Sequence, residues 1–297
     1  MPDSGIDQAS GLRRLFAGQR LRVVSFVAAG EGVGKTHVVA NLAVALARRG
    51  RSVLVLDENA GQDNVAGLFG LDHGHDLLDV IHGRTTLEHI LVRIEGNLHV
   101  CPAARALRQV DGFRPEQERF LVDALNALPE PPDTLLIDAA HDHPLGFSPI
   151  SLIAPETVVV LSGNSHAITG AYALIKRVAQ AYGRRQFGVL VNKSRNGEEA
   201  VRIFENLSRV ASQRAVAELA LAGVLPHDDA VAHAAWLRRP VTSAFPDSVS
   251  AEAFRGLAAR MERGGEGDDG APAGVGQFMQ QLVHWSQQLR PTSFHAR

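Results

Sequence analysis

An apolar run from Leu21 to Val27 stops at the turn Ala29-Gly30-Glu31-Gly32-Val33-Gly34-Lys35-Thr36, and a helical pattern begins at once. Strand, glycine-rich turn and helix in that order constrain the fold strongly. The backbone N–H groups of such a turn converge with a helix N-terminus on a site for anions. The side chains suit a polyphosphate: Lys35 reaches the terminal phosphates and the Thr36 hydroxyl ligates Mg²⁺. Nucleotide binding is therefore the first expectation. Ala29 stands where the usual pattern opens with glycine, and a small residue still suits the tight turn.

The chain repeats the strand-helix theme. Arg51 to Asp57, Leu98 to Pro102, Thr134 to Asp138, Thr157 to Leu161, Phe187 to Asn192 and Ala222 to Leu225 read as strands. Helical spacing fills 36–49, 115–128, 169–182 and 198–210. Such alternation predicts an α/β fold with a doubly wound, mostly parallel sheet and helices on both faces. Ligands in that architecture sit beyond the carboxyl ends of the strands. Composition agrees, since 45% hydrophobic but only 5% aromatic residues suit helices packed on a Val-rich sheet.

Charge and cysteine content narrow the function. A formal charge of −2 disfavours generic nucleic-acid binding, which needs a concentrated positive surface. The single Cys101 excludes an internal disulfide framework or a four-cysteine cluster within one chain. The polar N-terminus and the lack of a long apolar run point to the cytoplasm, with at most peripheral membrane contact.

Four regions separate. Residues 1–20 are a polar leader in which Leu12, Leu15 and Phe16 fall on one side of a helical turn or two, too short to fold alone. Residues 21–262 are the α/β body, and 263–276 read as a flexible linker rich in glycine and charge. Residues 277–297 form an amphipathic helix with Phe278, Met279, Leu282, Val283 and Leu289 on one face and Trp285 at its boundary. That face suits a membrane interface or a groove on the body, and a polar face of glutamines lacks cations for anionic lipid. A weak or dimer-dependent membrane contact is the expectation carried forward.

Asp57 and Asp138 end their strands, where an acid commonly holds Mg²⁺ through water. Asn192 and Pro226-His227-Asp228 end two others, as site residues or ordinary turn residues. His73-Gly74-His75 and His141-Asp142-His143 are too few ligands for a closed metal site and read as loop histidines.

With these residues in this order, Gly-Val-Gly-Lys-Thr at 32–36, Val53 to Asp57, Leu136-Ile137-Asp138, Val191-Asn192 and Gly223 to Pro226, the chain resembles the ParA/MinD class of dimerising ATPases. Asp7-Gln8-Ala9-Ser10-Gly11-Leu12-Arg13, and the stretch from Ile168 to Lys176, are similar to the FlhG/FleN subfamily of flagellar-number regulators. Asn64, Gly70-Leu71 and Asp79-Val80-Ile81 add to the likeness. The resemblance implies ATP and Mg²⁺ held by Gly30, Glu31, Gly32, Val33, Gly34, Lys35, Thr36 and His37, with Asp57 and Asp138 near the metal and Asn192, Pro226 and Asp228 around adenine. It implies an ATP-dependent homodimer, and a leader in which Gln8, Gly11, Leu12 and Arg13 meet an FlhF-type GTPase. It further implies a body that acts on a flagellar transcriptional activator or on switch-complex proteins, and peripheral placement at the inner membrane face or cell pole.

Departures fall on catalytic positions. Gly30 occupies the place of the family's second, signature lysine, and Asn59 that of an aspartate which positions water. Glycine supplies no charge to the phosphoryl group, and an amide accepts no proton. The segment Ala139-Ala140-His141-Asp142-His143 also differs from relatives. ATP binding with slow or absent hydrolysis is the expectation, with a nucleotide-independent scaffold as the alternative and a DNA-partition ATPase behind both.

Overall fold

The computed structural model describes residues 21–61, 64–71, 74–143, 147–264 and 271–288. Gln8, Gly11, Leu12 and Arg13 of the leader, His73, and Leu289 of the terminal face lie outside them. Strands β1 (Arg22–Val27), β2 (Val53–Asp57), β3 (Val92–Glu95), β4 (Leu98–Pro102), β5 (Thr134–Asp138), β6 (Glu156–Ser162), β7 (Gln186–Ser194) and β8 (Glu218–Pro226) form one sheet in the order β3-β4-β2-β5-β1-β6-β7-β8. Every pairing is parallel except that of β3 with β4. The central strands are buried along their whole length, as Val53–Asp57 and Thr134–Asp138 are, because helices cover both faces.

Seven longer helices supply that cover: α1 (Lys35–Ala47), α2 (Pro115–Asn126), α3 (Ser165–Tyr182), α4 (Gly197–Gln213), α5 (Asp229–Trp236), α6 (Val249–Gly264) and α7 (Val275–Gln288). Val38, Leu42, Phe254 and Leu257 of α1 and α6 pack with Val24, Phe26 and Val55 on one face. Leu121, Leu174, Ile175, Leu207 and Phe278, from α2, α3, α4 and α7, pack with Leu54, Leu135 and Leu161 on the other.

Register positions the site. Asp57 is paired with Asp138 across β2 and β5, and Asp138 with Phe26 across β5 and β1. Two acids and the entry to the glycine-rich turn therefore share one strand edge, and Ser162 pairs with Asn192 farther along it.

The structure differs from the sequence reading in two places. Strand β3 was not foreseen, because Val92-Arg93-Ile94-Glu95 is short and half charged; it forms as an antiparallel edge, closed on β4 by a turn with Gly96 at φ 52. The face assigned to a weak or dimer-dependent membrane contact is covered by the body in this structure, which is the other difference. Phe278, Met279, Leu282 and Val283 are buried in the core, and Trp285 is half-buried against Tyr182 with ring centroids 6.4 Å apart. An apolar stripe needs apolar surface, and here α2, the 149–153 helix and the 110–112 turn provide it. The linker shrinks accordingly: α6 runs to Gly264, Pro272 accepts from Leu21 N–H at 2.9 Å, and Ala273 N–H donates to Gln277. No helix among the described residues is long and apolar enough to cross a membrane.

Candidate functional site

The turn from Ala28 to Gly34 leads directly into α1. Gly32 and Gly34 have φ of 77° and 83°, a left-handed backbone that side chains resist. A Cβ on Gly34 would also stand 2.7 Å from Asn192 Nδ2. Gly34→Ala is therefore expected to cost about 1–3 kcal/mol in urea denaturation, from strain and from the displaced amide. Helix α1 has no side-chain cap and no acid in its first turn. Its first N–H groups and positive dipole end are left for an anion.

Four side chains close the site. Lys35 is buried and donates from Nζ to Asp138 Oδ1, a short buried ion pair. Asn59 Nδ2 lies 2.7 Å from Asp138 Oδ2 and 3.0 Å from both Asp138 O and Asp57 Oδ1. Asp57 Oδ1 also accepts the Asn59 N–H at 3.0 Å, and Oδ2 accepts the Val65 N–H at 2.6 Å. Burial, and then the charge on Asp138, push the Asp57 carboxyl up to about 7 against those hydrogen bonds. The amide at 59 bridges two buried acids as a donor. A carboxylate there would add a third negative group.

Glu58 is a site residue that sequence reading missed. Its carboxylate is buried, Oε2 accepts the Ala140 N–H at 2.9 Å, and Oε1 has no hydrogen-bond partner within 3.5 Å among the described residues. Burial drives its carboxyl up to about 7, opposed by the Ser148 hydroxyl, the Ala140 N–H and the charges of Lys35 and Arg108. A carboxyl whose folded pKa is raised binds its proton more tightly when folded, so the contribution of Glu58 to stability is full below about 4.5 and is lost as pH rises through about 7. Glu58→Gln should remove that slope and raise metal-free stability at pH 8 by on the order of 2–3 kcal/mol, with little change at pH 4, as read by denaturant midpoints. The segment after Asp138 is tied further by Asp142 to Arg108 at 2.8 Å and by His141 to Glu31 at 3.4 Å. Glu31 itself points to solvent, with its side chain 85% exposed.

The end of β7 braces the turn from behind. Asn192 Nδ2 donates to Val33 O at 2.8 Å, and Lys193 Nζ donates to Gly32 O at 2.7 Å from a residue with φ of 57°. Lys193 was also missed, although a cation beside Asn192 at a strand end was legible. Asp228 caps two helices, accepting from Ala230 N–H at 2.9 Å and Ser250 N–H at 3.0 Å. Pro226 ends β8, and Thr36 and His37, both half-buried, follow Lys35 in α1.

Residues 24–241 match the CobQ/CobB/MinD/ParA nucleotide-binding domain. The chain belongs to that family. It is 34% identical over 244 residues to the antiactivator FleN of Pseudomonas aeruginosa, spanning 82% of this chain and 86% of that protein. The cell division ATPase MinD of Pyrococcus furiosus shares the fold at a TM-score of 0.56 and 25% identity, covering 82% of this chain and 98% of that one. MinD of Pyrococcus horikoshii, solved with Mg-ADP, gives 0.58 at 22% identity over 83% and 98%.

Proposed function

We propose that this chain is a MinD-like regulator of flagellar number and placement that binds Mg-ATP and hydrolyses it slowly or not at all. The observation that carries the reading is Asn59. Its amide donates to Asp57 and Asp138, so nothing at that position takes a proton from water.

The donor set fits the nucleotide. Left-handed glycines with open space around Gly30 and Gly32 leave the cradle free of side chains, and Lys35 and the uncapped end of α1 face it with positive charge. Backbone groups of 30–36 would hold the phosphates, Thr36 would ligate Mg²⁺, and Asp57 and Asp138 would hold its waters, with Asn192, Pro226 and Asp228 on the adenine side. Mg²⁺, when bound, neutralises phosphate charge. Asp138 keeps the Lys35 ammonium in one position before any ligand arrives, which lowers the entropy cost of meeting a phosphate. Gly30 gives no second cation to offset charge developing on the phosphoryl group.

Gly30→Lys with Asn59→Asp is expected to raise steady-state phosphate release. No gain would mean that other defects dominate. The antiactivator name of FleN supports a body that restrains a flagellar transcriptional activator. The leader, through Gln8, Gly11, Leu12 and Arg13, would engage an FlhF-type GTPase, and ATP would drive homodimerisation. Nucleotide titration with simultaneous mass measurement tests binding and dimerisation together. A nucleotide-independent scaffold is the competing reading, favoured by how completely Lys35, Asn59 and Asp138 satisfy one another; an ATP-induced thermal shift would dismiss it.

A further inference from the structure

At the edge of the sheet opposite the phosphate-binding turn lies a cavity of about 340 Å³. Leu54, Leu91, Leu128 and Pro132 give it apolar walls, and the exposed carboxylates of Glu88 and Glu130 line it as well. Among the described residues neither carboxylate makes an ion pair. The cation in the lining, Arg93, donates to Gly96 O at 3.2 Å, and burial and then Arg93 lower the pKa of His99 against the opposing charge of Glu130.

The body begins beside this cavity. Arg22 N–H donates to Asp133 O at 2.9 Å, and Asp133 N–H donates to Ser52 O at 3.0 Å; Ser52 and Pro132 are part of the lining. Two strand spacings, about 10 Å, separate β1 from β2. The five Cα–Cα steps from Phe16 to Leu21 reach up to about 17 Å, so the tether is long enough. The leader presents what the cavity lacks. Leu12, Leu15 and Phe16 recur at helical spacing, and residues 8–20 hold Arg13, Arg14 and Arg20 with no acid.

We propose that the leader folds back on its own body, seating Leu12, Leu15 and Phe16 in this cavity with Arg13 and Arg14 against Glu88 and Glu130. Tethering raises the effective concentration to the millimolar range, so modest contacts suffice. Leu12 and Arg13 are also the residues assigned above to the GTPase partner. A partner must then displace the leader before using it, a consequence that rests on the proposed function; the docking itself does not.

Hydrogen exchange on the full chain, without nucleotide or partner, tests this independently. Amides of 12–16 should exchange at least roughly tenfold more slowly than an unstructured chain. Leu15→Asp with Phe16→Asp should abolish that protection and speed exchange in 91–99 and 128–131 together. Glu88→Arg with Glu130→Arg should weaken it, and adding Arg13→Glu with Arg14→Glu should restore it. Unprotected 12–16 amides in the native chain would overturn the proposal. So would cavity segments indifferent to the aspartates, protection indifferent to the charge reversals, or protection that grows with protein concentration, which would assign the site to a second copy.

Discussion

Lys35→Ala is expected to abolish ATP-dependent thermal stabilisation and to weaken the nucleotide-free fold. In the intact protein, ATP at one hundred times its dissociation constant should add about 2.7 kcal/mol of stability, and the variant should gain close to none. The nucleotide-free effect arises because Lys35 is the buried partner of Asp138. Removing one member of such a pair leaves a desolvated charge, a loss of about 3–5 kcal/mol, partly relieved here by the Asn59 amide. Melting both proteins with and without Mg-ATP separates the effects. A variant that loses stability yet keeps its full ATP shift would make Lys35 structural only.

Phe278→Ala should be the most costly single truncation on the terminal helix, at about 3–5 kcal/mol in urea denaturation with an unchanged m-value. Phe278 is fully buried beside the α2 side of the core, and a cavity there has little room to collapse. If this face instead served a bilayer, the truncation would leave stability intact and reduce sedimentation with vesicles. The two outcomes are opposite in both assays.

The contrast shows what the sequence could carry. A buried parallel strand such as Leu135-Leu136-Ile137 announces itself because both of its faces are covered, and the acid that follows it marks a strand end. Register then brought Asp57 opposite Asp138, which alternation of strands and helices implied but could not align. The stripe on α7 declared a need for apolar surface without naming the surface, so a membrane and a core were equally compatible with it. Glu58 was hidden between two residues of recognisable type, and only burial with an unpartnered oxygen reveals it. Asn59 was legible as a missing carboxylate, yet its use as a bridge between two acids depends on three-dimensional contact. The cavity is assembled from segments of β2, β3, β4, the 87–90 helical turn and the 128–132 loop, and no local pattern brings those together.

Retention of nucleotide without turnover is the claim on which the account depends. Equilibrium dialysis of the full chain against Mg-ATP, with inorganic phosphate assayed in the same chamber, measures both halves at once. The account predicts saturation at one ATP per chain, dependent on Lys35, with no multiple-turnover release of phosphate during the measurement. Steady release over many turnovers, or no saturable ATP binding, would contradict it.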